Sequence, residues 1–240
     1  MTSEAPSEPS AQAPAGAFDA SALQKMIWFG VLQLAGVVVG WIVSFYLFGT
    51  AYSSLTALGT VNSVNSAQMT VAFEPVFRGL PFVIPLAGGV QIVALAILAT
   101  SFWQLRNIDR KFSVPSIFVI VAMIGGGLAV LGLIPFFASI RNIITQAPAV
   151  SAPGTSVAFS SALDSLIVAF LLLAVGGLLT LIGLIGGQIL GLWRAGSRYK
   201  ETLLKLGAIF AIIPFLSLIA PVLVIVGANQ VRNRLRVGTD

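Results

Sequence analysis

The chain has no cysteine and no histidine, and charged residues make up only 9% of its 240 positions. Each absence closes off chemistry. Without cysteine there is no disulfide and no thiolate. Without histidine there is no His-Glu-x-x-His zinc helix, no axial imidazole for a haem and no Ser–His dyad. Globular domains carry about a quarter charged residues, so this chain cannot clothe a water-facing surface. Instead, 57% of it is hydrophobic, the mean hydropathy is +0.99, and the few charges sit in clusters between long apolar runs. That pattern is the mark of a membrane protein.

Carboxylates are equally scarce where chemistry would need them. Aspartyl catalysis requires two close together inside the protein, and Asp164 alone lies near an apolar run, at a boundary where N-capping of a helix is the expected role. Ion-coupled carriers place ionisable groups within their spans, and the central portions of these runs have none. The sequence therefore reads as a non-enzyme with no catalytic, cofactor-binding or metal-binding residues. Its net charge of +5 is not a nucleic-acid signal, because the basic residues flank apolar spans, as membrane orientation requires.

The expected fold class is all-α, a polytopic transmembrane bundle of five helices over 26–48, 80–102, 115–140, 165–192 and 206–227. Each run is close to or above the ~20 residues that cross a hydrocarbon core. They are apolar all round, whereas membrane strands alternate in polarity. Residues 1–20, rich in Ala, Pro and Ser with Glu4, Glu8 and Asp19, read as a disordered acidic tail without the basic start of a signal peptide. Ser21 and Gln24 have the spacing of a capping box. The membrane domain is 21–231, followed by a short basic tail, 232–240; the polar stretches 49–79 and 141–162 read as outer loops.

Lys25, Arg106, Arg110, Lys111, Arg194, Arg198, Lys200 and Lys205 all fall on one side if the N-terminus is cytoplasmic, leaving Arg78 and Arg141 outside. Trp28, Trp103, Trp193 and Tyr199 mark the same inner boundary. Five spans then put the tail with Arg232, Arg234 and Arg236 outside the cell. A segment turning back at Pro214 or Pro221 would restore an inner tail, but the apolar run fits one span better. The expectation is a protein of the cell membrane, N-terminus cytoplasmic and C-terminus extracellular.

Two glycine patterns mark candidate helix-packing faces: Gly36 with Gly40, and Gly183, Gly187 and Gly191 in a period of four. In lipid, close backbone approach through small residues substitutes for the missing hydrophobic drive between helices. Pro214 and Pro221 are candidate helix breaks, and Gly125-Gly126-Gly127 a candidate kink. Gln33, Ser44, Gln91, Thr180, Gln188 and Ser217 are polar residues within spans, read as interhelical links or, alternatively, as a pathway for a neutral solute. The second and third spans also look like the fourth and fifth. Trp103 and Trp193 each close a span, Ile134-Pro135-Phe136 and Ile213-Pro214-Phe215 follow, and Arg141-Asn142 and Arg232-Asn233 come after. A true duplication would be a parallel repeat.

Phe102-Trp103-Gln104-Leu105 through Phe112-Ser113-Val114-Pro115, Gly191-Leu192-Trp193-Arg194 through Gly196-Ser197-Arg198-Tyr199, and Ile212-Ile213-Pro214 through Ala220-Pro221 carry a family likeness. Over about residues 22–232 the chain resembles an archaeal family of multi-pass membrane proteins known as domain of unknown function 973. The resemblance brings no site residues with it. The functional expectation is a non-catalytic structural or accessory subunit of a membrane complex. The alternative is a small channel or carrier for a neutral or weakly charged solute. Expected partners are the lipid bilayer and a membrane protein or further copies of the chain, and not nucleic acid.

Overall fold

The computed structural model describes residues 15–58, 66–146, 155–213 and 216–237. Helices α1 (Ala15–Leu58), α2 (Ser66–Ile108), α3 (Ser113–Gln146) and α4 (Thr155–Gly183) are followed by a π turn, Leu184–Ile189, that leads without a break into α5 (Leu190–Arg198). Two shorter helices complete the chain, α6 (Thr202–Phe210) and α7 (Ala220–Val237). Five helical stretches are long and apolar enough to cross a membrane: Phe18–Ser53, Phe73–Ile108, Arg110–Ile143, Leu163–Arg198 and Leu216–Val237. The protein is an all-α helical bundle whose composition belongs in a bilayer.

The helices outrun the apolar spans at both ends. At 44 residues α1 is about 66 Å long, twice a hydrocarbon core. Much of the expected outer loops is therefore helix. Thr50, Ser53 and Thr56 return their hydroxyls to carbonyls one turn back, at Leu47, Thr50 and Tyr52, so these polar residues sit in a helix without exposing unmet donors. At the start, Ala15–Ala20 of the expected tail belong to α1, and Ser21 and Gln24 lie inside the helix rather than capping it. Residues 1–14 and 238–240 lie outside the described residues. Asp164 is the tenth residue of α4, so it does not cap that helix.

The single helix expected over 206–227 is two. The chain breaks between Phe210 and Ala220, and the arms pack antiparallel: Gly207 lies against Leu223 and Val224, Gly227 against Leu203 and Leu204. Arg234 near the end of α7 reaches Glu201 at the start of α6. α7 is also antiparallel to α1, with Gly30 beside Pro221 and Ile225, and Gln24 accepting from Arg232. Both ends of the described chain therefore lie at one end of the bundle, not at opposite ends as a straight fifth span requires. The break satisfies its own donors: Ile212, Ile213 and Leu216 bond to carbonyls three residues back, and Ser217 to Ile213. Local closure of this kind lets a chain turn among apolar groups. Pro214 lies outside the described residues; Pro221 occupies the first turn of α7, where its missing N–H costs nothing.

The apparent tandem repeat is not reproduced. Pro135 sits inside the continuous α3, whereas Ile213 belongs to the break. Arg141 stands at the far end, bonded to Glu74, while Arg232 returns to the end of α1's start. Nor does the run Gly125-Gly126-Gly127 break α3.

Neighbouring helices pack in the order α7, α1, α2, α3, α4–α5 and α6, and α6 closes the ring on α7. Closure exists only at the end that α6 and α7 reach. There Leu23, Met26, Phe29, Leu98, Phe102, Phe112, Leu192, Leu204 and Val224 are fully buried. Toward the other end, where α1 and α4 have no hairpin between them, little among the described residues is buried beyond Ala51, Gly132, Ser139, Ala169 and Gly176.

Candidate functional site

Among the described residues, the incomplete half of the bundle contains three cavities. The smallest, about 120 Å³, lies beside Arg141 among α2 and α3; the other two are roomier. The larger of these two, about 600 Å³, lies over the tip of the α6–α7 hairpin and is lined by Val37, Gly40, Trp41, Ser44, Phe45 and Phe48 of α1 with Ser217 and Leu218. The second, about 390 Å³, lies among α2, α3 and α4, with Gln91, Ile92, Gly126, Gly177, Thr180 and Leu184 in its wall. Both are within the size range of small-molecule sites. Their walls are chiefly hydrocarbon. Thr180 turns its hydroxyl to the Gly176 carbonyl, which satisfies it within its own helix. The described carboxylates all stand at the ends: Asp19, Asp109 and Glu201 at one, Glu74 and Asp164 at the other. Neither of the two roomier cavities has an ionisable group in its wall, so the arrangement can hold an apolar or neutral molecule but offers no acid–base pair.

One turn from Leu184, toward the closed end, Gln188 meets Gln33 of α1. The two amides face each other reciprocally at 3.4 and 3.5 Å, the long end of the hydrogen-bond range. This pair joins α1 to the π turn, and Gln188 is buried. The extra residue of the π turn advances the helix register, which turns Gln188 inward while Gly186 and Gly187 still face α3. Such turns recur at functional positions.

The glycine expectations divide. An added Cβ at Gly183 would overlap the Ala122 backbone, at Gly187 it would lie 2.6 Å from Val119, and at Gly191 it would enter the Phe102 ring. The period-four face is thus spent on internal packing against α3 and α2. Gly36 touches Val90, but around Gly40 there is open space, the floor of the larger cavity. Other tight approaches are not legible in the sequence. Gly125 and Gly176 face each other across α3 and α4, and Gly207 and Gly227 make the hairpin possible. Only the pairing of distant segments reveals these.

The polar cluster at the closed end also went unread. Asp19, nearly buried on α1, accepts from the Tyr199 hydroxyl at 2.7 Å and from Arg198 at 3.3 Å; Arg198 also approaches Asp109 at 3.9 Å. Burial, then the hydrogen bond to Asp19, pushes the Tyr199 hydroxyl well above the ordinary phenol range, holding it protonated. Lys200 takes a positive φ of 52° in the turn that brings Tyr199 to Asp19 and lets Glu201 cap α6 through the Leu203 N–H. Asp19 lies in the Ala/Pro/Ser-rich segment that reads as tail, and its partners are about 180 residues away, beyond the reach of local pattern.

The sequence matches the family described as protein of unknown function, DUF973, over residues 21–240. The chain belongs to this family. The match spans the segments that carried the resemblance, and no function attaches to them. No curated protein and no solved structure matches the chain.

Proposed function

We propose that the protein is a non-catalytic subunit of a membrane complex, in which a partner helix completes the open half of the bundle. One observation carries this reading: the buried core stops at the depth of the hairpin tip, leaving a 600 Å³ cavity beside an α1 face whose Trp41, Phe45 and Phe48 are largely exposed. A helix that buries such a face gains packing that lipid chains supply less well. In this reading four helices cross the bilayer and α6–α7 enters and leaves from one side. Its nine-residue first arm reaches about 14 Å, roughly half the hydrocarbon thickness. The basic end faces the cytoplasm, with both ends of the described chain there.

The test is gentle extraction from the native membrane with a photo-crosslinking residue at Phe45, and at Ile117 on a distant lipid-facing surface as control. A protein adduct from position 45 alone supports the proposal. Lipid adducts only, from both positions, would overturn it. A second reading, a carrier or channel for a neutral or weakly charged solute, draws on the half-depth hairpin, since interrupted helices hold the binding sites of many transporters. Solute flux in proteoliposomes of the lone chain would favour it over the first.

A further inference from the structure

The two ends of the bundle differ sharply in charge. All thirteen basic residues except Arg78 and Arg141 gather at the closed end, because the returning hairpin brings Arg232, Arg234 and Arg236 there. At least five of these eleven have side-chain partners. Arg198 pairs with Asp19 and Asp109, and Arg234 with Glu201. Arg232 is tied to Gln24 and Asn229. Arg106 and Lys205 stack over Trp103 and Trp193.

The turn between α2 and α3 is different. Arg110 and Lys111 stand exposed on it, and Arg194 is drawn over it by a hydrogen bond to the Lys111 carbonyl. Three cationic groups therefore share one turn. The neighbouring carboxylate, Asp109, is engaged elsewhere: one oxygen accepts from the Lys111 backbone N–H and the other faces Arg198. No described carboxylate lies within ion-pair distance of Arg110, Lys111 or Arg194. Directly from this turn runs an exposed apolar stripe of α3, Val114, Ile117, Ile124 and Leu131, on one helical face.

We propose that this turn binds the phosphate of an anionic lipid in the leaflet at the closed end, with the lipid chains lying along the α3 stripe. Cations with no described carboxylate in ion-pair range, placed above an exposed apolar stripe, match a molecule that carries negative charge at one end and hydrocarbon at the other. A free anion would satisfy the turn but leave the stripe unused. The inference rests on the membrane reading, and not on the choice between subunit and carrier.

The full chain, purified in neutral detergent, is offered an anionic phospholipid, a zwitterionic one of the same chains, or inorganic phosphate. Retained lipid is read by native mass spectrometry and thermal stability in parallel. Wild-type protein should retain the anionic lipid preferentially and be stabilised by it, and phosphate should do neither. The pair Arg110→Gln and Lys111→Gln should lower that preference about fivefold per charge removed; adding Arg194→Gln should lower it further. Arg78→Gln, at the other end, should leave it unchanged. Because the double variant leaves the Arg194 link intact, misfolding does not stand in for loss of binding. Equal retention of both lipids by the wild type, an undiminished preference in the double variant, or an equal effect of inorganic phosphate would each overturn the proposal.

Discussion

At the closed end of the bundle six helices bury Phe29, Phe102 and Phe112 completely and enclose Asp19 and Glu201 with arginine partners. At the open end the same kinds of residue, Phe45, Phe48 and Phe82, lie exposed, and Glu74 meets Arg78 and Arg141 on the surface. Three prolines, Pro75, Pro81 and Pro85, interrupt the hydrogen bonding of α2 in that half, and none lies in its other half. Large apolar residues occur in both halves. The difference is the α6–α7 hairpin, which fills the space between α1 and α4–α5 to half its depth and no further. Apolar residues facing it become core, and those beyond it stay exposed. Packing density, not hydrophobicity, distinguishes them, because in a bilayer burying an apolar group against protein gains little transfer energy but much close contact.

The sharpest test of that contrast is truncation of one aromatic in each half. Phe102→Ala should cost about 4 kcal/mol in unfolding measured in detergent, since the cavity lies among six helices. Phe45→Ala should cost less than about 1 kcal/mol when no partner is bound; equal losses would erase the distinction. Overpacking comes next. Gly187→Leu should destabilise by about 3 kcal/mol, because the α3 backbone cannot yield, whereas Gly40→Leu, with open space around it, should leave thermal stability unchanged.

The ionic contacts follow the same order. Asp19→Asn leaves Arg198 largely enclosed with a weakened partner and should cost about 2 kcal/mol. Glu74→Gln at the open end should cost no more than about 0.5 kcal/mol. Alkaline pH probes the closed end separately. With its ionisation raised in the folded state, Tyr199 contributes stability that is complete below the ordinary phenol value of 10.0 and is lost as pH climbs past it toward the folded value. Tyr199→Phe should flatten that fall in an alkaline unfolding series; an unchanged slope would remove the tyrosine from the clamp. The smallest effect expected is a gain. Lys200→Gly relieves a positive φ and should be neutral or stabilising by up to about 1 kcal/mol.

The end assignment itself can be broken with single cysteines, since the chain has none of its own. Thr56→Cys and Val237→Cys stand at opposite ends of the bundle. In intact cells an impermeant thiol reagent should label the first and not the second; labelling of both would restore a tail outside the cell.

Apolar runs interrupted by basic clusters determined by themselves that this is a helical membrane protein, because hydrocarbon demands backbone closure within each segment and leaves charge only at the rims. The sequence also marked Gly183, Gly187 and Gly191 as one packing face, which a local period of four suffices to reveal. The apolar length of 206–227 did not show that the segment folds back. One span and a hairpin have the same composition, and the choice lies in Gly207 meeting Leu223 and Val224, and Glu201 meeting Arg234. Nor could residues about 180 positions apart announce that Asp19 belongs with Arg198 and Tyr199. Tertiary structure alone decided where the core stops, because the depth the α6–α7 hairpin reaches is fixed by which helices it packs against and not by its own hydropathy.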